Sequence, residues 1–136
     1  MAEAYVYDAI RSPRGKGRAD GALHEVTAVR LSADMLNALK ARNDLATDAI
    51  EDVIWGNVTQ IGEQGGCLAR SAVLLSDLDQ SVPGLSINRF CASGLTALQM
   101  AADRIRVGEA DVMIAGGAES MSLVPMGGNK PSFNPE

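Results

Sequence analysis

The chain has 136 residues, of which 46% are hydrophobic, 21% charged and 4% aromatic, and its net charge is -5 with a pI near 4.8. This composition is typical of one globular domain, and it argues against nucleic acid as the main partner because phosphate contacts need a positive surface and single strands need aromatic platforms. No stretch approaches the roughly 20 apolar residues that span a bilayer and no export leader is visible, so we expect a cytoplasmic protein with no membrane partner and two free thiols.

The first half of the chain predicts a strand, a loop, a helix and a second strand. Residues 3–10 contain Ala-Tyr-Val-Tyr and predict a strand, and residues 11–21 predict a glycine-rich, basic loop. Residues 27–43 carry apolar side chains on a 3.6-residue period, which indicates a helix. Residues 52–59 centre on Val-Ile-Trp and predict the second strand.

The second half continues the alternation. Residues 67–75 predict a short helix and residues 85–88 a third strand. Residues 92–107 predict a longer helix that ends before Gly108, a suitable left-handed cap. Residues 111–115 predict a fourth strand, buried on both faces.

Strands that alternate with helices indicate an α/β layer structure. We assign residues 1–120 to one α/β domain and residues 121–136, which are rich in proline and glycine, to the start of a loop domain. The apolar residues expected on the buried face of the longest late helix are Leu95, Leu98, Ala102 and Ile105.

Cys91 is the leading candidate for a catalytic residue. It lies where an apolar strand meets a long amphipathic helix, close to the unpaired N–H groups and the positive end of the helix dipole. We expect this position to favour thiolate and lower the pKa of the thiol below the roughly 8.5 of a free cysteine. The small residues that follow leave the sulfur accessible, which predicts a nucleophile for acyl transfer.

Two segments carry a resemblance to a known family. Residues 88–97 read Asn-Arg-Phe-Cys-Ala-Ser-Gly-Leu-Thr-Ala, which resembles the active-cysteine motif of thiolases, and residues 116–122 read Gly-Gly-Ala-Glu-Ser-Met-Ser, similar to a second thiolase signature. Weaker support comes from Ile-Arg-Ser-Pro at 10–13, Val-Ile-Trp-Gly-Asn-Val at 53–58 and Val-Pro-Met-Gly at 124–127. Ketosynthases and HMG-CoA synthases share the fold, but their sequence around the cysteine differs.

The resemblance implies the amino-terminal βαβαβαβ half of a thiolase-like fold, with an incomplete mixed sheet. It also implies an acyl-enzyme on Cys91, formed from an acyl-CoA or 3-ketoacyl-CoA, in thiolytic cleavage or Claisen condensation. The backbone N–H of Cys91 would help to hold the oxyanion. Coenzyme A thioesters are then the substrates, no cofactor is expected, and the protein is expected to be a homodimer or homotetramer.

The family pattern also includes segments that this sequence lacks. Thiolases carry a second half with Asn-Glu-Ala-Phe, Gly-His-Pro and Cys-x-Gly segments, which supply the activating histidine and a second cysteine. None of these segments occurs here, so we expect an amino-terminal half that needs a carboxy-terminal half for chemistry. The alternatives are a non-catalytic folding unit or partner subunit of a split thiolase, and a flavodoxin-like ligand-binding domain, which leaves the cysteine motif unexplained.

The remaining chemically capable residues have plainer interpretations. Cys67 is expected to pack near a helix start, and His24 to be a surface residue of a polar loop. Glu119 is either a buried hydrogen-bonding partner or an ordinary loop acid, while the two glycines before it are expected to allow close backbone approach to the cysteine helix. A basic cluster is expected to be solvated, with phosphate binding as the less favoured alternative: Arg11, Arg14, Lys16 and Arg18.

Overall fold

The computed structural model describes residues 3–130, and the last part of the predicted loop domain, residues 131–136, lies outside the described residues. Three helices alternate with three strands: α1 (Ala28–Asn43), β1 (Asp52–Gly56), α2 (Leu68–Leu75), β2 (Gly84–Ile87), α3 (Ser93–Arg106) and β3 (Met113–Gly117). The α/β class is confirmed, and each helix begins and ends within one residue of its predicted bounds. No helix in this part of the chain has the length and apolar character needed to cross a membrane.

The three strands form one sheet, in which β1 is central and pairs in parallel with β2 and with β3. All five residues of β1 are buried. Val53 and Trp55 pack into the core formed with α1 and α2, and Ile54 packs with α3 on the opposite face. The molecule therefore has three layers, with the sheet between α1 and α2 on one side and α3 on the other.

Local chemistry defines α1 and joins it to the sheet. The hydroxyl of Thr27 accepts a hydrogen bond from the amide of Arg30 at 3.1 Å, which is the usual N-cap geometry. Ser32 in α1 is buried and accepts a hydrogen bond from the indole N–H of Trp55 at 2.9 Å. The only tryptophan of the chain is thus fixed between two layers.

The predicted strand at residues 3–10 is wrong. This segment has no regular secondary structure, and Tyr5, Val6 and Tyr7 are exposed. Apolar alternation produces a strand only where a neighbouring backbone is available for pairing. Within residues 3–130 the segment is instead tied to the end of α1, where Arg42 forms a bidentate ion pair with Asp8 at 2.8 and 3.1 Å.

Two further expectations about the sheet are corrected. The described sheet is entirely parallel rather than mixed, because both neighbours of β1 reach it through helical crossovers. The fourth predicted strand is the third observed, begins two residues later, and is fully buried only at Ile114. β3 is an edge strand of the described sheet, and residues on both of its faces stay partly exposed.

The predicted buried face of α3 is wrong at Leu95 and Leu98, while the other two residues predicted there, Ala102 and Ile105, are half-buried. Thr96, Ala97 and Ala101 face the sheet, whereas Leu95 and Leu98 are 60% and 44% exposed. Small side chains face the sheet because α3 approaches it closely, leaving no room for leucine. The larger apolar side chains of this helix consequently form an uncovered surface.

Candidate active site

Cys91 lies in a tight turn that leads from β2 into α3. It is exposed, and it stands immediately before Ala92, the N-cap residue of α3, which makes no side-chain capping hydrogen bond. The first turn of the helix contains no acidic residue. The sulfur thus belongs to the start of a helix whose amide groups are not neutralised by a nearby carboxylate.

The backbone immediately before Cys91 has an unusual conformation. Phe90 has a φ of 48°, in the left-handed region that non-glycine residues rarely adopt. The side chain of Asn88 accepts a hydrogen bond from the Phe90 amide at 2.9 Å, and the Ser93 hydroxyl donates to the Phe90 carbonyl at 2.6 Å. Ser93 also accepts from the Arg89 amide at 2.9 Å. These polar contacts compensate for the strain of the turn.

Glycine in β1 allows α3 to begin close to the sheet. A Cβ atom on Gly56 would lie 2.8 Å from the backbone nitrogen of Gly94 and from Ser93. A Cβ on Gly117 would lie 2.7 Å from the Gly56 carbonyl oxygen, and one on Gly116 would overlap the Trp55 ring. Gly116 and Gly117 do allow a close approach, but their neighbours are in β1, so the predicted approach to the cysteine helix is wrong in its partner.

A cleft of about 670 Å³ opens beside the sulfur. Its walls are mostly apolar and come from the turn, α3, β3 and the loop after β3, including Phe90, Cys91, Gly94, Gly117, Met121 and Met126. The volume lies within the usual range of small-molecule sites. An acyl group could occupy such a cleft next to the thiol.

Glu119 borders the same cleft and organises the loop after β1. One of its oxygens accepts from the Val58 amide at 2.8 Å and from the Asn57 side chain at 3.3 Å. The other oxygen accepts from the Thr59 amide at 3.1 Å and from the Gln64 side chain at 2.5 Å. Glu119 is therefore a hydrogen-bonding partner, as the first interpretation of the sequence has it, but it is exposed rather than buried.

Cys67 occupies a separate position at the N-cap of α2 and packs against the main core, as predicted. Burial raises the pKa of its thiol, but hydrogen bonds involving Arg70, Ser86 and Ala69 outweigh this effect, so the pKa lies below its ordinary value. Its sulfur lies 3.3 Å from the Gly84 carbonyl oxygen and 3.6 Å from the Ser86 hydroxyl. Both cysteines are free thiols.

His24 does not join the site, since it is absent from the residues that line the Cys91 cleft. It is half-buried rather than a surface residue, and its Nδ1 atom is buried without a hydrogen-bond partner in the described part of the chain. Its loop is tightly folded by hydrogen bonds such as that from the His24 amide to the Gly21 carbonyl at 3.0 Å. Compact loop folding therefore explains the partial burial.

The basic cluster lies on the segment before α1, where Arg11, Arg14 and Lys16, but not Arg18, line a second cleft of about 590 Å³. Lys16 pairs with Asp20 at 3.3 Å with both side chains exposed, which matches the expected solvated loop. Phosphate binding by this cluster stays a prediction. Residues 3–130 contain no group of three or more histidine, cysteine or acidic side chains that could hold a metal ion.

Sequence reasoning missed several residues that shape the site. Asn88 could have been found, because an asparagine two residues before a strained position commonly accepts from its amide. The roles of Ser93 and Gln64 depend on contacts that no local pattern reveals, as Gln64 meets Glu119 from 55 positions away.

Residues 4–134 match the family model described as thiolase, N-terminal domain, and the chain belongs to this family. The chain is 43% identical over 127 residues to the 3-ketoacyl-CoA thiolase of Cronobacter sakazakii, covering 93% of the chain and 33% of that protein. It is 49% identical over 126 residues to the 3-oxoadipyl-CoA/3-oxo-5,6-dehydrosuberyl-CoA thiolase of Escherichia coli, covering 92% of the chain and 31% of that protein. The chain thus spans about a third of the length of these curated relatives.

Proposed function

We propose that this chain supplies the nucleophile of a thiolase-type acyltransferase and that Cys91 accepts the acyl group. The single observation that carries the proposal is the exposed thiol at the uncapped start of α3, beside an apolar cleft, in a chain of the thiolase family. Cysteine reacts through its thiolate, and the exposed position of Cys91 leaves the sulfur open to a substrate.

The reaction proceeds through a thioester on the protein. The Cys91 thiolate attacks the C3 carbonyl of a 3-ketoacyl-CoA, the C2–C3 bond breaks, and protonation of the departing enolate gives acetyl-CoA. The thiol of a second CoA then attacks the acyl-enzyme and releases a shortened acyl-CoA, which restores Cys91. Claisen condensation of acetyl-CoA is the reverse sequence. The Cys91 amide contributes to holding the oxyanion.

The substrates and partners follow from the relatives. The two relatives are thiolases named for 3-ketoacyl-CoA and 3-oxoadipyl-CoA, so we assign this chain to 3-oxoacyl-CoA thioesters. We propose no further cofactor. The base that accepts protons from CoA and the second cysteine are assigned to a carboxy-terminal half, as in the family. We further propose a homodimer or homotetramer in the cytoplasm.

Mass spectrometry of the intact protein tests the proposal directly. The full chain is incubated with acetyl-CoA, both alone and with the carboxy-terminal half of the Escherichia coli relative. We expect one acetyl group on Cys91, its loss in Cys91→Ser and its retention in Cys67→Ser. An acetyl group that persists in Cys91→Ser, or no adduct under either condition, contradicts the proposal.

The uncovered face of α3 favours a second candidate function. Leu95 and Leu98 are exposed together beside the site, as expected for a surface that docks another polypeptide. In this candidate the chain is a non-catalytic folding unit or partner subunit of a split thiolase. Acetylation of Cys91, in the isolated chain or after mixing, would exclude this candidate, whereas binding of the carboxy-terminal half without any adduct on Cys91 would support it.

A further inference from the structure

We propose that Glu119 is a positioning residue for Cys91, acting through the backbone of Val58 and the side chain of Asn88. The inference deepens the proposed function, because it concerns the same thiol and rests on its role as acyl acceptor. Glu119 acts at a distance, through three consecutive hydrogen bonds.

The first step fixes the loop after β1. Each oxygen of the Glu119 carboxylate accepts two hydrogen bonds, and the four donors are all neutral groups within or near this loop. Gln64, which is fully buried, strengthens the arrangement by donating also to the Thr59 carbonyl at 2.9 Å and accepting from the Ser120 amide at 3.0 Å. Hydrogen bonds to an ionised acceptor are stronger than neutral ones, so the loop is held chiefly by this carboxylate.

The second step passes from the loop to the cysteine turn. The backbone of Val58 is held on both sides of its Cα atom, because its N–H donates to Glu119 at 2.8 Å and its carbonyl accepts from the Asn88 side chain at 3.1 Å. Asn88 is exposed and has no other side-chain donor contact in residues 3–130. The orientation of its amide is therefore set by the position of the Val58 carbonyl.

The third step reaches the residue before the nucleophile. The Asn88 oxygen accepts from the Phe90 amide at 2.9 Å and stabilises the left-handed conformation of Phe90, whose φ is 48°. Because this torsion sets the direction in which the chain enters α3, it also sets the position of the Cys91 sulfur. Loss of the Glu119 carboxylate loosens Val58 and then Asn88, and it weakens the turn, which then depends mainly on the hydrogen bonds of Ser93.

The arrangement distinguishes positioning from proton transfer. Both carboxylate oxygens of Glu119 are occupied by hydrogen-bond donors of the protein, and within residues 3–130 none of its hydrogen bonds involves Cys91. A general base needs a free acceptor within reach of the proton that it takes. The network therefore indicates that Glu119 positions Cys91 and does not transfer a proton.

The test compares the alkylation rates of the two cysteines within the same molecule. Iodoacetamide labelling of the full chain is followed peptide by peptide, with Cys67 as the internal reference. In Glu119→Gln, the new amide N–H₂ group faces hydrogen-bond donors of the protein, so the charge-assisted hydrogen bonds of the carboxylate are lost. We expect this variant to slow the labelling of Cys91 by about five- to tenfold, which is the order of effect of a charge-assisted hydrogen bond. The rate at Cys67 is expected to stay within about twofold, because its sulfur contacts Gly84 and Ser86 of β2 and shares no hydrogen-bond partner with Glu119.

Glu51→Gln is the matched control. Glu51 likewise joins two loops by accepting from the amides of Asp111 and Val112, but it does so at the opposite end of the strands. We expect this variant to leave Cys91 labelling unchanged. Equal slowing by Glu51→Gln would mean that general loosening of the fold explains the effect, and the proposal would be overturned.

Asn88→Asp separates the steps. Aspartate still accepts from the Phe90 amide but cannot donate to the Val58 carbonyl, so it cuts the connection to Glu119. When Asn88→Asp is already present, Glu119→Gln is expected to change the rate of Cys91 labelling by less than about twofold. The effects of the two substitutions are then not additive, as expected for residues in one hydrogen-bond network. Full additivity, or no effect of the folded Glu119→Gln variant, overturns the proposal.

If circular dichroism shows that Glu119→Gln does not fold, Glu119→Asp replaces it in the same comparison. The labelling assay needs no acyl-CoA, so its outcome is independent of the acetylation experiment. If Glu119→Gln slows the labelling of Cys91 but no acetyl adduct forms, only the proposed reaction is refuted. If the acetyl adduct forms but Glu119→Gln does not slow labelling, only the positioning role is refuted.

Discussion

Replacement of Gly56 by alanine is expected to damage both stability and the site, since it acts where α3 begins. The new Cβ would lie 2.8 Å from the Gly94 nitrogen and from the Ser93 carbonyl carbon. These are backbone atoms, so the start of α3 must move away from β1. Overpacking of this kind costs about 2–3 kcal/mol, which corresponds to a decrease of about 6–10 °C in Tm for a chain of this length.

Gly108→Ala is the matched control. Gly108 has a φ of 76°, and a Cβ atom added to it would have no neighbour within 4 Å, so alanine there introduces only left-handed strain of about 1 kcal/mol. Urea unfolding followed by the fluorescence of Trp55, the single buried tryptophan, measures both variants. Only Gly56→Ala should also reduce acetylation of Cys91. Equal loss of stability in the two variants would refute the close-approach argument.

Three further outcomes follow from other contacts. Ser93→Ala removes both hydrogen bonds that the hydroxyl makes in the cysteine turn, and urea unfolding should show a loss of about 1–2 kcal/mol; an unchanged midpoint would contradict this. Arg42 and a neighbouring amide hold the pKa of Asp8 below its ordinary 3.8, so the tether of residues 3–10 is complete above that pH and is lost as the pH falls through the lower folded value. Limited pepsin digestion should detect its release on acidification, and Asp8→Asn should abolish the pH dependence. Leu95→Gln should change the free energy of unfolding by less than about 0.5 kcal/mol, whereas Ala97→Leu should cost about 1–3 kcal/mol; equal effects would contradict the observed orientation of α3.

Helices were predictable from sequence because their signals are local. Thr27 caps α1 through its own hydroxyl, and Gly108 ends α3 with a φ of 76°. The segment at 3–10 and the orientation of α3 were mispredicted because both depend on neighbours distant in sequence. Apolar periodicity indicated that α3 has an apolar face, but only the close contact at Gly56 determines that alanines, rather than leucines, face the sheet.

In the candidate site, too, local features were predictable from the sequence and long-range contacts were not. The position of Cys91 at a strand-to-helix junction follows from the order of elements along the chain. The contacts of Glu119 could not be predicted, since its partners in the loop after β1 lie 60 to 62 positions earlier. Such contacts arise only after parallel pairing has placed the ends of β1 and β3 together.

Parallel pairing also separates the two rims of the sheet. The rim at the carboxyl ends holds Cys91 and Glu119, while the opposite rim is joined by Glu51 and by an ion pair between Arg104 and Asp52 at 2.7 Å. Substitutions at the rim of the carboxyl ends can therefore change the reactivity of the site, while the contacts at the opposite rim keep the helices and the sheet together. Proteins with this arrangement can acquire new chemistry at the carboxyl ends of their strands without a change in the rest of the fold.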